Sequence, residues 1–305
     1  MNIYIAGVDG MIGSELKIEL EKKHHILGTT YLDLDLLNYS AVDEYLRSHE
    51  IDLVIMAAAK VGGGVTISKN PVEFLEDNLL MQINLMRASE VNHIRKFIFL
   101  ASAAIYPADA INPIGEEQIM MGPLDTVQES YALAKLVGVF QTKYYNLQKA
   151  CKFITVIPAN LIPTRDNGQV VFSLLRQMNE ARDKNTPNIT IWGSGNQRRE
   201  FIFVDDVVQA MSILLDNFDE LNYDMYNIGM QTDISIKELA FLIKDISGYK
   251  GDIVFDASKP EGVHKRILDS SRIQSLGFKP KIEIREGLVK IQKVIEKNFC
   301  SADVL

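Results

Sequence analysis

The stretch Ile3-Tyr4-Ile5-Ala6-Gly7-Val8-Asp9-Gly10-Met11-Ile12-Gly13 decides the fold of this 305-residue chain. Its first four residues are an apolar run of strand length, and the glycines that follow are spaced three residues apart. Glycine lets the backbone approach a phosphate closely, and a helix that begins here directs its N–H groups to the same place. This stretch predicts the pyrophosphate-binding loop of a dinucleotide site, and an ordinary strand–helix turn is the alternative.

The first half of the chain continues this alternation of strand and helix patterns. Short, continuous apolar runs are typical of strands buried on both faces. The pattern therefore predicts an α/β fold of the Rossmann type, with a doubly wound parallel sheet covered by helices. The predicted strands are Ile3–Ala6, His25–Thr29, Leu53–Ala59, Lys96–Ala101 and Phe153–Ile157, and the predicted helices are Ser14–Lys23, Tyr39–His49, Asn70–Val91 and Ser130–Lys149.

The second half of the chain is less regular. We expect residues 1–160 to form the dinucleotide-binding domain, with residues 200–228 returning to it. Residues 161–305 are expected to form mainly a smaller, mixed α/β C-terminal lobe that binds the substrate. The elements predicted there are a polar loop at Thr164–Gln169, helices at Val170–Ala181 and Val207–Leu215, and strands at Ile189–Trp192 and Phe201–Val204.

Composition and charge exclude several classes of function. The net charge is −8 and the pI is near 5.3, without the basic stripe that is typical of nucleic-acid binders. Cys151 and Cys300 have no CxxC spacing, so neither a metal site nor a disulfide framework is expected. The N-terminus lacks a signal-peptide pattern, and no apolar run reaches the roughly 20 residues of a membrane span. We therefore expect a cytoplasmic protein that binds neither nucleic acid nor membrane.

A tyrosine and a lysine form a candidate catalytic pair. Tyr131 and Lys135 lie four residues apart, on one face of a predicted helix. An ammonium beside a phenol lowers the tyrosine pKa from about 10 toward neutrality. The tyrosine can then exchange a proton with a substrate oxygen while a hydride moves at the attached carbon. Ser102, at the end of the fourth strand, is expected to share that oxygen, and a surface helix pair is the alternative.

The residues after the second strand bear on the type of dinucleotide. In an NAD site an acid binds the ribose 2′-hydroxyl about 20 residues after the glycines. Thr29-Thr30-Tyr31 stands there, with Asp33 slightly later, and no arginine is present for the 2′-phosphate of NADP. Asp9 would repel such a phosphate if its side chain faced it. These residues alone leave the choice between the two dinucleotides open.

Further motifs follow the glycine loop in order along the chain. They are Ala57-Ala58-Ala59-Lys60-Val61-Gly62-Gly63, Ser102-Ala103-Ala104-Ile105-Tyr106-Pro107, Pro113–Glu116, Gly122–Leu124, Pro158–Leu161, Trp192–Gly195, Arg199–Phe201 with Asp205-Asp206, and Lys259–Gly262. With the glycine loop and the tyrosine–lysine pair, they resemble the extended short-chain dehydrogenases/reductases over roughly residues 2–270. Within that group the resemblance is greatest to the GDP-L-fucose synthase family.

The resemblance implies an oxidoreductase of a GDP-linked sugar, with NADPH as cofactor and Ser102, Tyr131 and Lys135 as the catalytic residues. NADH stays the alternative cofactor, because Asp9 and Tyr31 stand where the family has arginines. The cofactor-binding residues that it implies are Gly7, Gly10, Met11, Ile12, Gly13, Asp35, Ala57, Ala58, Lys60, Tyr131, Lys135, Pro158, Asn160 and Leu161. The substrate-binding residues are Ala104, Asn160, Gln169, Trp192, Arg199 and Lys265.

Two of these substrate residues have a plainer interpretation. The resemblance makes Arg199 the residue that binds the nucleotide diphosphate, since a guanidinium forms paired hydrogen bonds to phosphate. A solvated basic pair with Arg198 is the alternative. Trp192 either lines the nucleotide pocket or belongs to the core.

The chain departs from the family at the residues of its epimerase chemistry. Removing and returning a carbon-bound proton needs a base and an acid, for which the family uses a cysteine and a histidine. Those positions are Ala104 and Gln169 here, and neither side chain titrates near neutral pH. We therefore expect a C-4 ketoreductase of a GDP-linked 4-keto-6-deoxy sugar, or of a related heptose, that lacks epimerase activity.

Two alternatives accompany this expectation. His264 or Glu129 could replace the missing acid and base. The protein could then be a bifunctional epimerase and reductase. It could also be a non-catalytic nucleotide-sensing protein of the same fold, although the complete serine–tyrosine–lysine set argues against this.

The resemblance also implies an assembly and a pathway. The helices at Asn70–Val91 and Ser130–Lys149 match the pair that forms a four-helix homodimer interface in this superfamily. Their apolar positions could instead face the sheet. The implied pathway is the biosynthesis of sugars for surface polysaccharides such as capsules.

Overall fold

A six-stranded parallel sheet lies at the centre of the fold. The computed structural model describes residues 1–162, 170–259 and 262–302. Its strands are β1 (Asn2–Ala6), β2 (His25–Thr29), β3 (Leu53–Met56), β4 (Lys96–Leu100), β5 (Lys152–Pro158), β6 (Asn160–Ile162), β7 (Asn188–Trp192), β8 (Arg198–Arg199), β9 (Phe201–Phe203), β10 (Met225–Ile228), β11 (Ile234–Ser235), β12 (Asp252–Asp256) and β13 (Lys265–Arg266). The central order is β10-β5-β4-β3-β1-β2, with every pair parallel.

Helices cover both faces of this sheet. They are α1 (Met11–Leu20), α2 (Tyr39–Ser48), α3 (Gly64–Lys69), α4 (Pro71–Val91), α5 (Glu129–Lys149), α6 (Val170–Asp183), α7 (Val204–Asp216), α8 (Ile236–Ser247), α9 (Ser271–Gln274) and α10 (Ile284–Ala302). The chain crosses from β1 to β2 in one direction and from β3 to β4 in the other, so right-handed crossovers place α1 and α4 on opposite faces. α1 packs against α7, whereas α4 packs against α2 and α5. The predicted Rossmann-type, doubly wound sheet is confirmed.

The buried apolar side chains form two clusters. One lies between the central sheet and its helices, and the other joins α6, β7, β9, α8 and α10. Within residues 200–228, β10 is an edge strand of the central sheet, whereas β9 pairs with β6 outside it. Leu268, Ile273 and Phe278 belong to the first cluster, so part of the C-terminal region packs with the sheet. The domain boundary at residue 160 stays a prediction.

Two elements around the glycine loop differ from their predicted bounds. α1 begins at Met11 rather than Ser14, because the loop runs directly into the helix with Gly10 as its N-cap. β3 ends at Met56 rather than Ala59, because residues 57–59 leave the sheet to line the cleft above it. Both differences bring backbone groups to the edge of the sheet where the site lies.

Other differences fall in the second half of the chain. α8 and α10 were not predicted, although Ser235 and Glu238 form a capping box at the start of α8. The predicted loop Thr164–Gln169 lies outside the described residues. Within the described ranges, no helix is long and apolar enough to span a membrane, and no cluster of residues could hold a metal ion.

Candidate active site

A cleft of about 1210 Å³ opens above the carboxyl ends of the central strands, where parallel α/β sheets bind their ligands. The loops after β1 to β5 form one wall. α6, β7 and residues of β8 and β13 form the other. The cleft brings together most of the predicted site residues, namely Gly7, Gly10, Met11, Ile12, Asp35, Ala57, Ala58, Lys60, Ser102, Ala104, Tyr131, Lys135, Pro158, Asn160, Leu161, Trp192 and Arg199.

The glycine loop is built for close backbone approach. Gly7 has a φ of +79°, and a Cβ atom there would lie 2.8 Å from the backbone of Ala58. A Cβ atom on Gly13 would overlap the carbonyl oxygen of Gly7, so Gly13 packs beneath the loop. No side chain caps the first turn of α1 after Gly10. Because the first N–H groups of a helix have no partner within it, this turn fits the pyrophosphate of a dinucleotide.

The loop after β3 is fixed to α4 by hydrogen bonds and ion pairs. The Asn78 amide accepts a hydrogen bond from the N–H of Lys60 at 2.9 Å and donates one to its carbonyl at 3.0 Å. The Lys60 ammonium forms ion pairs of 2.7 Å with both Glu73 and Asp77. Two carboxylates therefore balance the charge that Lys60 brings to the cleft.

Ser102, Tyr131 and Lys135 meet at the floor of the cleft. Ser102 follows β4, and Tyr131 and Lys135 lie one turn apart on α5. The Tyr131 hydroxyl is hydrogen-bonded to Ser102. Below it, the buried Lys135 ammonium donates to the Leu100 carbonyl at 2.8 Å. The predicted catalytic residues are thus neighbours, and all three line the cleft.

Burial governs the ionisation of these residues. It raises the pKa of Tyr131 to about 12, and the hydrogen bond with Ser102 lowers it only in part. Burial also lowers the pKa of Lys135 to about 7. In contrast to the prediction, Lys135 is not among the groups that shift the Tyr131 pKa in this structure. The Lys135 ammonium is directed to the Leu100 carbonyl and the Phe99 ring. Burial disfavours the charged forms of both Tyr131 and Lys135.

Two arginines share the opposite wall. The parallel strands β8 and β13 place Arg199 opposite Arg266, and Arg198 opposite Lys265. Because neighbouring residues of a strand face opposite ways, Arg199 and Arg266 line the cleft together. Arg198 and Lys265 instead form ion pairs with Asp233, of 2.7 and 3.4 Å. Lys265, which was predicted as a substrate ligand, therefore does not line the described cleft, whereas Arg266 does.

The arginine pair is a candidate anion site. Burial lowers the pKa of Arg199, and lowers that of Arg266 to about 10, while the charge of Asp125 raises both. Within the described residues, the buried Nε of Arg266 has no hydrogen-bond partner. Two partly desolvated guanidiniums beside one carboxylate suit a ligand with more than one negative charge, such as a diphosphate.

A buried glutamate sets the position of this wall. The Glu200 carboxylate accepts hydrogen bonds from the N–H groups of Gln231 and Leu268, at 2.5 and 2.8 Å. The Glu200 carbonyl accepts one from the Asn160 amide at 2.9 Å. These bonds join the strand after Arg199, the residues after β13 and the predicted site residue Asn160. These hydrogen bonds therefore fix the position of the arginine wall relative to Asn160 on the other wall.

Non-titrating side chains line much of the space between the serine and the arginines. Ala104 is buried at the base of the cleft. Trp192 lines its edge and is 52% exposed, with the Lys259 ammonium 5.8 Å from the ring centre, so Trp192 is not a core residue. The described lining contains no histidine, cysteine or glutamate, and Asp125 is the carboxylate near the arginines.

The comparisons with known proteins agree with this geometry. The model of the NAD dependent epimerase/dehydratase family matches residues 3–229. The chain belongs to this family. It is 36% identical to the GDP-L-fucose synthase of Escherichia coli (strain K12), over 94% of this chain and 94% of that protein.

Two solved structures of proteins from Campylobacter jejuni are also similar to this chain. MlghC, a GDP-mannoheptose C4 reductase with NADP bound, is 32% identical with a TM-score of 0.88, covering 97% of this chain and 98% of that chain. A GDP-6-OMe-4-keto-L-xylo-heptose reductase is 30% identical with a TM-score of 0.90, over the same shares of the two chains.

His264 and Glu129, the candidate replacements for the missing acid and base, do not line the described cleft. Gln169 lies outside the described residues. The carbonyl of His264 accepts the N–H of Arg198, whereas Glu129 lines a separate groove beside α5. The sequence missed Arg266, although the basic pair Lys265-Arg266 was a signal for an anion site. Only the pairing of β13 with β8 shows which member of that pair faces the cleft.

Replacing Lys135 with methionine is expected to stabilise the protein at pH 7 and below. The folded protein holds the Lys135 pKa near 7, below the ordinary value of 10.5, so the unfolded chain binds this proton more tightly. The loss of unfolding free energy caused by burying the charged ammonium is complete below pH 7 and disappears as the pH rises toward 10.5. This loss is at most about 5 kcal/mol. Thermal melting between pH 6 and 10, without dinucleotide, measures the difference.

The exposed Lys143 on the same helix supplies the matched control. Lys143→Met should change the melting temperature little, with no dependence on pH in this range. If Lys135→Met melts below the unsubstituted protein at pH 7, burial of the ammonium does not destabilise the fold.

Proposed function

We propose that this protein reduces the C-4 ketone of a GDP-linked 4-keto-6-deoxy sugar or related heptose and does not epimerise the neighbouring carbons. One observation carries the proposal: a hydrogen-bonded Ser102 and Tyr131 lie in the same cleft as the arginine pair Arg199 and Arg266. The names of the relatives support a GDP-sugar as substrate and reduction at C-4 as the reaction. The setting that we propose is cytoplasmic synthesis of sugars for surface polysaccharides.

The residues of the floor would handle the proton of this reaction. NADPH, held over the glycine loop and Asn160, supplies the hydride when it is bound. Because burial keeps the Tyr131 phenol protonated, Tyr131 can donate its proton to the oxygen at C-4. Ser102 donates a hydrogen bond to the same oxygen while its negative charge develops. Lys135 lies one turn along α5 from Tyr131, with its ammonium on the Leu100 carbonyl, and would act by holding this part of the cleft floor in place.

The arginine wall would bind the other end of the substrate. Arg199 and Arg266 would hold the two phosphates of the GDP group, because guanidinium groups form paired, charge-assisted hydrogen bonds with phosphate oxygens. Trp192 stands at the edge of the cleft, where it would contact the nucleoside. This binding fixes the distance from the diphosphate to the sugar carbon above Tyr131.

The absence of epimerisation rests on the side chains around the sugar. Proton removal beside the ketone needs a group that titrates near neutral pH. Ala104 offers none, and His264 and Glu129 are not among the described residues that line the cleft. This supports reduction without epimerisation.

The decisive experiment combines the purified full-length chain with GDP-4-keto-6-deoxymannose and NADPH in deuterated water. We expect oxidation of the dinucleotide and a product with no solvent deuterium at C-3 or C-5 by NMR. Deuterium at either carbon would support the alternative bifunctional reaction and direct attention to Asp125 as its base. Failure to reduce this substrate and a GDP-4-keto-heptose would contradict the reductase.

We also propose a homodimer through α4 and α5. These helices pack against each other and still expose large apolar side chains, which would be buried in a four-helix interface. Light scattering should then give twice the 34.3 kDa of one chain, and a monomer at micromolar concentration would contradict the dimer. The exposed side chains are Leu80, Ile83, Val137, Tyr144 and Leu147.

A further inference from the structure

The adenosine end of the cleft lies where β1 and β2 end. In a doubly wound fold the ribose 2′ position of a dinucleotide meets the residues after the second strand. Asp9 follows β1 and lines the cleft, and Thr30, Tyr31 and Asp35 follow β2 and line it as well. These side chains therefore decide whether a 2′-phosphate or a 2′-hydroxyl is accepted.

The basic side chains of the described lining all lie elsewhere. They are Lys60, Lys135, Arg199 and Arg266. Lys60 is held between Glu73 and Asp77 by ion pairs of 2.7 Å, and Lys135 is buried against the Leu100 carbonyl. The two arginines belong to the opposite wall. In the described part of the chain, no lysine or arginine that lines the cleft follows β1 or β2.

The turn after β2 is built without a cation and presents an aromatic ring. The Asp33 carboxylate accepts hydrogen bonds from the N–H and the hydroxyl of Thr30, at 2.9 and 2.8 Å. This turn leaves the side chain of Tyr31 76% exposed at the cleft. The Asp35 carboxylate accepts the N–H of Leu37 at 2.9 Å, which fixes a second acid in the lining. Acids and a phenol thus stand where a phosphate would need a guanidinium.

We infer that this enzyme binds NADH at least as tightly as NADPH. A 2′-phosphate carries close to two negative charges at neutral pH and would meet the Asp35 carboxylate, and the described residues of the lining place no lysine or arginine on this side of the cleft. A 2′-hydroxyl can instead donate a hydrogen bond to a carboxylate. The inference deepens the proposed function, because it concerns the dinucleotide of that reaction. NADPH remains a substrate, with no preference over NADH.

The test is direct binding of each dinucleotide to the full chain without a sugar. Fluorescence titration with NADH and with NADPH, at low and moderate salt, should give an NADPH Kd equal to or above the NADH Kd. A Kd for NADPH that is tenfold below that for NADH would overturn the inference. If the keto sugar is still reduced in that case, the proposed function stands. If the expected ratio is found but no sugar is reduced, only the proposed function fails. Binding of neither dinucleotide would overturn both.

A pair of adjacent variants tests the location of the effect. Tyr31→Arg is expected to tighten NADPH binding by roughly 10-fold or more and to leave NADH binding within a few-fold, because a charged hydrogen bond to the phosphate is gained. Leu32→Arg is the matched control, since Leu32 is 79% exposed and does not line the cleft. Equal tightening by both variants would mean that the added charge acts at a distance, and would contradict the role of the Tyr31 position.

Discussion

Replacing Tyr131 with phenylalanine is expected to lower kcat roughly 100- to 10,000-fold, the usual contribution of a positioned general acid. The substitution removes the one phenol that is hydrogen-bonded to Ser102 and leaves the ring that packs on the cleft floor. Binding of the dinucleotide should change little, because the glycine loop is untouched. Steady-state kinetics with GDP-4-keto-6-deoxymannose, together with dinucleotide titration, separate the two effects.

The matched control for this variant is Tyr223→Phe, an exposed tyrosine that does not line the described cleft and lies outside the proposed dimer helices. It should leave kcat within about twofold, as expected for a surface substitution away from the site. Unchanged turnover in Tyr131→Phe would contradict the role of Tyr131 as the acid. If neither the variant nor the unsubstituted chain turned over any GDP-keto sugar while both bound nucleotide, the non-catalytic interpretation would gain support.

Replacing Arg199 with alanine is expected to raise the KM for the GDP-sugar at least about 30-fold, because removing one partner of a buried charged contact costs about 2 kcal/mol or more. Without Arg199, the Asp125 carboxylate would have only the Arg266 guanidinium of this pair beside it. Since Arg199 is proposed to bind the diphosphate rather than the reacting carbon, kcat should change less than KM. Calorimetric titration with GDP measures the same loss without the sugar.

Arg198→Ala is the matched control for the arginine wall. Arg198 precedes Arg199 in β8 but forms ion pairs with Asp233 and Glu238 on the other side of the strand. Its loss should leave the affinity for GDP within a few-fold. Equal weakening by Arg198→Ala, or an unchanged KM in Arg199→Ala, would contradict the placement of the diphosphate.

Several features of the site could be predicted because they depend on local chemistry. Glycine at positions 7 and 13 is required by close backbone contacts, and such a requirement leaves a visible pattern in the sequence. The spacing of Tyr131 and Lys135 follows from the helical repeat. The continuous apolar strands follow from burial on both faces.

The features that were predicted wrongly depend on the packing of distant segments. Arg266 and Lys265 are adjacent basic residues, and the choice between them depends on the pairing of β13 with a strand more than 60 residues away. The direction of the Tyr131 pKa shift depends on how deeply the phenol is buried, which the helix pattern does not specify. Gln169 lies outside the described residues, so its role stays a prediction.

The pairing of β8 with β13 makes the length of the chain between them as important as its composition. Each of these strands has two residues, and Arg199 stands beside Arg266 because the two segments are in register. An insertion or deletion of one residue just before Lys265 that shifted this register would turn Arg266 away and point Lys265 into the cleft. The net charge of the protein would not change. The anion site would lose the planar guanidinium of Arg266, with its several N–H donors, and gain the flexible ammonium of Lys265. Homologues can therefore vary in sequence between β12 and β13 and keep the site, whereas a change in length that shifts the register would alter the side chain that the site presents.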